Sequence, residues 1–339
     1  MRGAGGMFAT RAFLSREKCV FCGYPSKNIK FPKGRFYFTF SVKLIIIQFM
    51  KIASDWKDYR IIATGSGMKL EKWGNVTLLR PDPQVIWTGG DLYSYPGINA
   101  VYHRSDKGGG GWQILQPFPA QWNISYGDLN FIIRPTGFKH TGLFPEQAVN
   151  WNAMRALIDG ERAKNPEKKI KVLNLFAYTG GATVACAKSG AEVVHVDAAK
   201  AMVERAGDNA RLSGINSGIR YIVDDCAKFV AREIRRGNKY DAIIMDPPSY
   251  GRGPGGETWK IEDGLFDFVN SCAKLLADNP LFFLINSYTT GLQPCVLNNI
   301  LTLALRDFKG EVTSYEVGIS TDEGIPLPCG CSGMFTGLR

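Results

Sequence analysis

The sequence predicts an α/β protein, a mostly parallel sheet wound by helices, with a small β-rich domain ahead of it. Three observations carry this. Residues 171–197, KVLNLFAYTGGATVACAKSGAEVVHVD, read as strand, glycine turn, helix, strand and terminal acid. Residues 242–245, AIIM, form a second buried-strand run that stops at Asp246-Pro247-Pro248-Ser249-Tyr250. Residues 50–140 hold only short apolar runs between turn signals, such as Arg60–Thr64, Val76–Leu79, Val85–Trp87, Ala100–His103, Trp112–Leu115 and Leu129–Ile133, read as strands.

In the first stretch, Val172–Phe176 is the strand and Thr179-Gly180-Gly181 breaks it. Ala182–Lys188 is helix-compatible, Val193–Val196 is the next strand, and Asp197 ends it. Parallel strands joined by a helix put ligands beyond their carboxyl ends. Gly180 and Gly181 allow close backbone approach, the helix start offers free N–H groups, and Asp197 can accept two ribose hydroxyls. This fits an adenosine moiety and, alone, does not choose between a dinucleotide and S-adenosylmethionine. The G-x-G-x-x-G spacing of dinucleotide folds is absent.

Taken together, NLFAYTGG (174–181), HVD (195–197), VDDC (223–226) and DPPSY (246–250) resemble the four motifs of the class I S-adenosylmethionine-dependent methyltransferases, in order and spacing. GLFPEQ (142–147) is similar to a segment that precedes the catalytic domain in a branch related to the cytosine-5 rRNA methyltransferases. The resemblance implies a Rossmann-like seven-stranded methyltransferase sheet and S-adenosyl-L-methionine as cofactor. It implies cofactor contacts from Asn174, Phe176, Ala177, Tyr178, Thr179 and Gly180, from Asp197 and Ala198, and from Asp246. Asp225 would accept from the adenine amino group, the Cys226 N–H would reach a ring nitrogen, and Phe144 and Gln147 would meet the methionine end. Asp224 or Asp225 could equally cap a helix, and Pro145 could simply open a linker helix.

Asp246, Pro247 and Tyr250 are the expected catalytic residues. The carboxylate and the Pro247 carbonyl can each accept one hydrogen of a planar amine, and an aromatic ring can clamp the base. Ser249 intervenes before Tyr250, a departure that puts exocyclic-amine specificity in question. Cytosine-5 chemistry needs a thiolate that adds to the ring, and in the enzymes this chain resembles that Cys follows the fifth strand. Residues 286–289 read NSYT there, without Cys. The resemblance implies an RNA base as acceptor, with rRNA foremost. The alternatives are a small molecule, a protein, or a nucleotide-binding module without methyl transfer. A homodimer is left open.

Charge distribution limits the RNA reading. Of the net +10, residues 1–49 carry +8, nine Lys or Arg against Glu17, so the body is near +2 and any RNA surface must be a local patch. Eight scattered cysteines suit a reducing cytoplasm, and a zinc site from Cys19/Cys22 with Cys329/Cys331 has nothing local behind it. The domains are expected at 1–49, an over-extended or disordered leader; 50–140, β-rich; and 141–339, catalytic. Trp56, Trp73, Trp87, Trp112 and Trp122 are read as core of the β-rich part rather than stacking platforms, and His103 as a lone histidine. The glycine-rich stretch 251–260 reads as a lid, with Trp259 or Tyr250 either stacking on a substrate or anchoring the loop.

Overall fold

Helices bury one stripe each, so a sheet apolar on both faces must be covered on both. The computed structural model shows this arrangement and describes residues 50–105, 109–137, 139–252 and 258–338. The leader, Cys19 and Cys22 lie outside the described residues, as does the middle of the glycine-rich stretch.

The β-rich part begins with β1 (Met50–Ala53), β2 (Tyr59–Gly65), β3 (Met68–Trp73), β4 (Val76–Pro81), β5 (Ala100–Arg104), β6 (Gly110–Ile114), β7 (Trp122–Tyr126) and β8 (Leu129–Ile133). A 3-10 turn at Pro145–Gln147 leads into α1 (Ala148–Lys164). Then come β9 (Lys171–Leu175), α2 (Gly181–Lys188), β10 (Glu192–Asp197), α3 (Lys200–Leu212), β11 (Ile219–Val223), α4 (Cys226–Arg236) and β12 (Ala242–Met245). The chain closes with β13 (Tyr250–Arg252), β14 (Thr258–Lys260), α5 (Ile261–Ala273), β15 (Phe282–Ser287), α6 (Pro294–Ala304), β16 (Gly310–Ile319) and β17 (Leu327–Gly337).

The main sheet runs β1-β16-β17-β15-β12-β9-β10-β11. The last five are mutually parallel, and β17 is antiparallel to both neighbours. Seven strands match the expected sheet. The eighth is β1, which leaves the β-rich strands and pairs in parallel with β16 at the edge. Sheet residues alternate between two cores. Val172, Ile244, Phe282 and Leu284 face a core with Trp151, Val184 and Ala210 of α1–α3. Leu173, Ile243, Phe283 and Ile285 face Phe229, Val269 and Leu297 of α4–α6.

The first core continues into the β-rich part through Trp73, Ile124 and Phe131. Trp151 is the junction, with ring centroids 5.1 Å from Phe131, 5.9 Å from Tyr126 and 6.1 Å from Trp56. Strand β8 is held against α3 by side chains that mimic a neighbouring strand. Asn209 Oδ1 accepts from Ile132 N at 2.9 Å, and Ser213 Oγ accepts from Asn130 N at 2.9 Å and donates to its carbonyl at 3.0 Å. The two sit one helical turn apart, which matches the two-residue repeat of the strand edge.

Several boundaries differ from the sequence reading. Val85–Trp87 is not a strand; its carbonyls accept from Ser66 and Gly67 in a loop. Strand β3 was not expected. Its Glu71 is fully buried between Arg80 (Nε–Oε2 2.5 Å), Lys69 (3.6 Å) and the Tyr59 hydroxyl (2.6 Å). Helix α1 runs through Gly160 to Lys164, and β16 and β17 are 10 and 11 residues long. Trp73 is core as expected, and His103 is exposed, its Nε2 2.8 Å from Gln113 Oε1.

Burial pushes Glu71 up, but Arg80 and then Lys69 outweigh it and hold its carboxyl at about 2. Arg80→Leu leaves that carboxylate buried without its main partner and is expected to cost about 3–5 kcal/mol in urea denaturation at pH 7. In the variant burial raises the folded-state pKa above the unfolded value, so the loss should shrink as pH falls toward 4. The Glu71→Leu/Arg80→Leu pair should recover most of it. At the α1–α2 crossing, a Cβ on Gly181 would lie 2.7 Å from Trp151 Cζ2. Gly181→Ala is expected to lower stability by about 1–3 kcal/mol by thermal or urea melting.

Candidate active site

Strands β9 and β12 are parallel neighbours from which the chain winds in opposite directions, toward β10–β11 and toward β15. Such a reversal leaves a crevice at the carboxyl ends that no helix fills. The loop after β9 lies there, with Phe176 (φ 53°), Tyr178 (φ 51°) and Gly180 (φ 83°) in the left-handed region. For residues with a β-carbon that conformation costs about 1–2 kcal/mol each and persists only where surroundings impose it. They do so here. Phe176 N donates to Cys226 Sγ (3.3 Å), Ala177 N to Val196 O (3.1 Å), Tyr178 N to Asp197 Oδ2 (2.8 Å) and Gly180 N to Ala177 O (3.0 Å). Thr179 Oγ1 donates to Gly142 O at 2.5 Å, and Asn209 Nδ2 to Thr179 O at 2.8 Å.

The glycines are also required by packing. A Cβ on Gly180 would meet Ala206 Cβ at 2.8 Å, and one on Gly181 would meet Trp151. Both positions are glycine because α1 and α3 come this close to the turn. Only Gly181 of the two lines the cavity beside it.

That cavity, about 70 Å³, is lined by Leu143, Phe144, Gln147, Trp151, Asn174, residues 176–179, Gly181, Ala182, Ile244, Asp246 and Asn286. The glycine-turn strand tip and the proline-turn strand tip thus share one pocket, narrowed by the rings of Phe144 and Tyr178, 5.7 Å apart. Of the sequence-derived set, Phe144, Gln147, Asn174, Phe176, Ala177, Tyr178, Thr179 and Asp246 meet there. Asp197, Ala198, Asp225 and Cys226 do not line it, and neither do Gly180, Pro247 and Tyr250. Asp197 sits at the tip of β10 with Oδ1 accepting from Ala199 N at 2.8 Å and Oδ2 from Tyr178 N. Asp225 is the α4 cap, accepting from Lys228 N at 2.9 Å, while Asp224 pairs with Arg232. Tyr250 is half-exposed on the β13–β14 hairpin.

Trp259 is an anchor. Its Nε1 donates to Pro248 O at 2.6 Å, and its ring lies 5.9 Å from Phe268 and 6.3 Å from Phe176. Ser249, the residue that departs from the motif, has its hydroxyl 2.6 Å from that of Thr289, tying the proline turn to the end of β15.

Sequence reasoning missed Glu146 and Tyr288. Burial, and secondarily Glu146, push Asp246 up to about 7. Burial also raises Glu146, which lines a cavity with Tyr288. Gln147 Nε2 donates to the Tyr288 hydroxyl at 2.7 Å, and Asn150 Nδ2 donates to Gln147 Oε1 at 2.8 Å. Asn150 is itself fixed by Asn286, Ser332 and the Tyr315 hydroxyl, so the Gln147 amide is held in one orientation. The signal for Glu146 was its place beside Gln147 in GLFPEQ. A second cavity of about 130 Å³ shares Leu143 and Phe144 with the first and adds Lys69, Lys139, His140, Glu146 and Tyr288. Burial, then Lys139, lowers His140 to about 4, so it is neutral near pH 7.

The S-adenosylmethionine-dependent methyltransferase family profile matches residues 101–262. The crystal structure of the S-adenosylmethionine-dependent methyltransferase from Agrobacterium tumefaciens superposes with a TM-score of 0.78 at 31% identity, covering 86% of this chain and 94% of that one. The ribosomal RNA large subunit methyltransferase I of Erwinia tasmaniensis is 30% identical over 218 residues, 57% of this chain and 51% of the relative. The ribosomal RNA large subunit methyltransferase K/L of Syntrophotalea carbinolica is 28% identical over 194 residues, 56% of this chain and 26% of the relative. The chain therefore spans a quarter to a half of these curated relatives. With that overlap of sequence, fold and strand-tip geometry, the chain belongs to the class I S-adenosylmethionine-dependent methyltransferases.

Proposed function

We propose that this chain methylates a base in RNA, with rRNA as the foremost substrate, and that Asp246 receives the acceptor amine. The observation that carries the reading is the shared cavity, in which Asp246 faces the loop of Asn174–Gly181. The relatives named for ribosomal RNA methylation support RNA as the acceptor class.

The residues fit the cofactor. Gly181 and Ala182 open α2 on the cavity wall, where backbone N–H groups lack intrahelical partners and suit a carboxylate. Asp197 keeps lone pairs for ribose hydroxyls beyond its two backbone bonds. Asp225 Oδ2 and the Cys226 N–H are the adenine contacts in this reading. Gln147 and Phe144 hold the methionine end. S-adenosylmethionine supplies an electrophilic methyl on a sulfonium. The protein's part is to align the acceptor with it and to take up hydrogen bonds from the amine, through the Asp246 carboxylate and the Pro247 carbonyl. Tyr250 is the remaining candidate for a clamp on the base.

A covalent cytosine-5 route is disfavoured by the thiols. Cys331 pairs with Ser287 across β15 and β17, yet its Sγ donates to Leu292 O at 3.2 Å, and burial pushes it up to about 11. A thiol so capped and protonated is a poor nucleophile near pH 7.

S-adenosylhomocysteine is expected to raise the melting temperature where NAD does not; stabilisation by NAD alone would sink the reading. Asp246→Ala should hold S-adenosylhomocysteine affinity within about threefold while lowering turnover by about 100-fold or more. Because the ionised Asp246 is the working form, kcat/KM should rise with pH and level off above about 7. In Glu146→Gln one cause of the raised pKa is gone, so that limb should move to lower pH. A limb that stays in place would separate Glu146 from Asp246.

A further inference from the structure

With the body of the chain near +2, an RNA-binding surface has to be local. Between the loop after β8 and helix α3 lies an open groove of about 680 Å³. Trp112, Arg134, Thr136, Gly137, Met202 and Arg205 are among its walls. Two acids also line it, but both are engaged: Asp208 with Arg211, and Glu204 with Lys200 at 3.7 Å. Arg134 and Arg205 make no ion pair among the described residues; Arg205 Nη2 donates only to Ile132 O, at 3.4 Å. Burial disfavours the charge on Arg205, Tyr178 favours it, neighbouring Arg134 disfavours it, and Asp208 favours it. Two guanidinium groups therefore line one groove without a direct ion pair, and the two acids beside them are shared with Arg211 and Lys200.

The groove also has a fixed aromatic wall. Trp112 Nε1 donates to Thr136 O at 2.7 Å, and the ring packs edge-on against Tyr102 at 5.2 Å. The indole is therefore held in orientation while part of its surface lines the groove. The position relative to the site is set by Arg205, whose guanidinium fills the space over Gly142 that a β-carbon would take and lies within electrostatic reach of Tyr178. Gly142 in turn holds the strained loop through Thr179.

We propose that this groove binds a single-stranded segment of the acceptor RNA, with Trp112 as the stacking surface for a base and Arg134 and Arg205 as phosphate contacts. The proposal rests on the RNA reading above. Arginines beside an aromatic face are a combination that holds single strands with little sequence preference. Because both arginines line a groove along α3, the strand in this proposal runs over that helix before a base turns into the Asp246 cavity.

The test uses the full chain and a fluorescein-labelled single-stranded RNA about 12 nucleotides long, read by anisotropy across a salt series. Arg134→Glu is expected to weaken binding about tenfold or more and to reduce the salt slope by about one. Trp112→Leu should weaken it by about 5- to 100-fold, and Trp112→Phe should restore most of the loss. Lys239→Glu, at the opposite, amino ends of the strands, makes the same charge change and should stay within about twofold of wild type. S-adenosylhomocysteine affinity should be unchanged in Arg134→Glu. Equal losses in Arg134→Glu and Lys239→Glu, or no loss in Arg134→Glu, would overturn the groove while leaving the RNA reading in place. A wild-type chain that binds no RNA would overturn both.

Discussion

Everything at the site depends on a reversal in winding at β9 and β12. Neighbouring parallel strands whose connections leave in opposite directions cannot both be roofed by their own helices. The exposed carboxyl ends must be finished by loops, and the two loops here are unlike. One is bent by left-handed residues and pinned from four sides. The other carries two prolines and is tied by Ser249 to Thr289 and by Trp259 to Pro248. Rigid loops of different character across one narrow cavity can fix a donor on one side and an acceptor on the other, and in-line group transfer requires that.

The β-rich part is tied to this crevice through buried contacts. Its ion group of Glu71, Arg80 and Lys69 is connected to the site by an Arg80 Nη1 donation to Lys139 O at 2.6 Å, in the segment leading to Leu143 and Phe144. Trp56 Nε1 donates to Pro145 O at 2.9 Å, just before Glu146 and Gln147. The residues that narrow the cavity are therefore held from outside the parallel sheet. A change in the β-rich part can reach the site without touching a ligand.

The doubly covered sheet was legible because its strands are apolar on both faces and end at glycine, proline or acid. What stayed hidden depended on partners distant in sequence. Strand β3 reads poorly because Glu71 occupies an inward position, and only Arg80, nine residues on, makes it admissible. Strand β1 pairs with β16 more than 250 residues away, which no local pattern encodes. Residues 85–87 look like a strand by composition, yet their carbonyls meet the Ser66-Gly67 turn in place of a strand edge. At the site, eight residues of the sequence-derived set line one cavity, and the packing around the motifs is what local sequence does not encode. Gly180 is needed by α3, and Trp259 is held by Phe268 and Pro248. Glu146 gave little signal, since a buried carboxylate in a proline turn resembles an ordinary helix start.

The raised pKa of Asp246 gains meaning from the direction in which charge moves. Methyl transfer removes a positive charge from sulfur and delivers it to the acceptor. A carboxylate in water would already be satisfied by solvent. Asp246 is desolvated and close to a second acid, so its ionised form is the one short of partners. On the proposed reading, the cation developing on the acceptor is that missing partner. The interaction strengthens as the transition state forms and is weak before it, the kind that raises turnover instead of merely tightening binding. The surrounding amides and hydroxyls of Gln147, Asn150, Asn286 and Ser332 carry no charge that would pre-empt it.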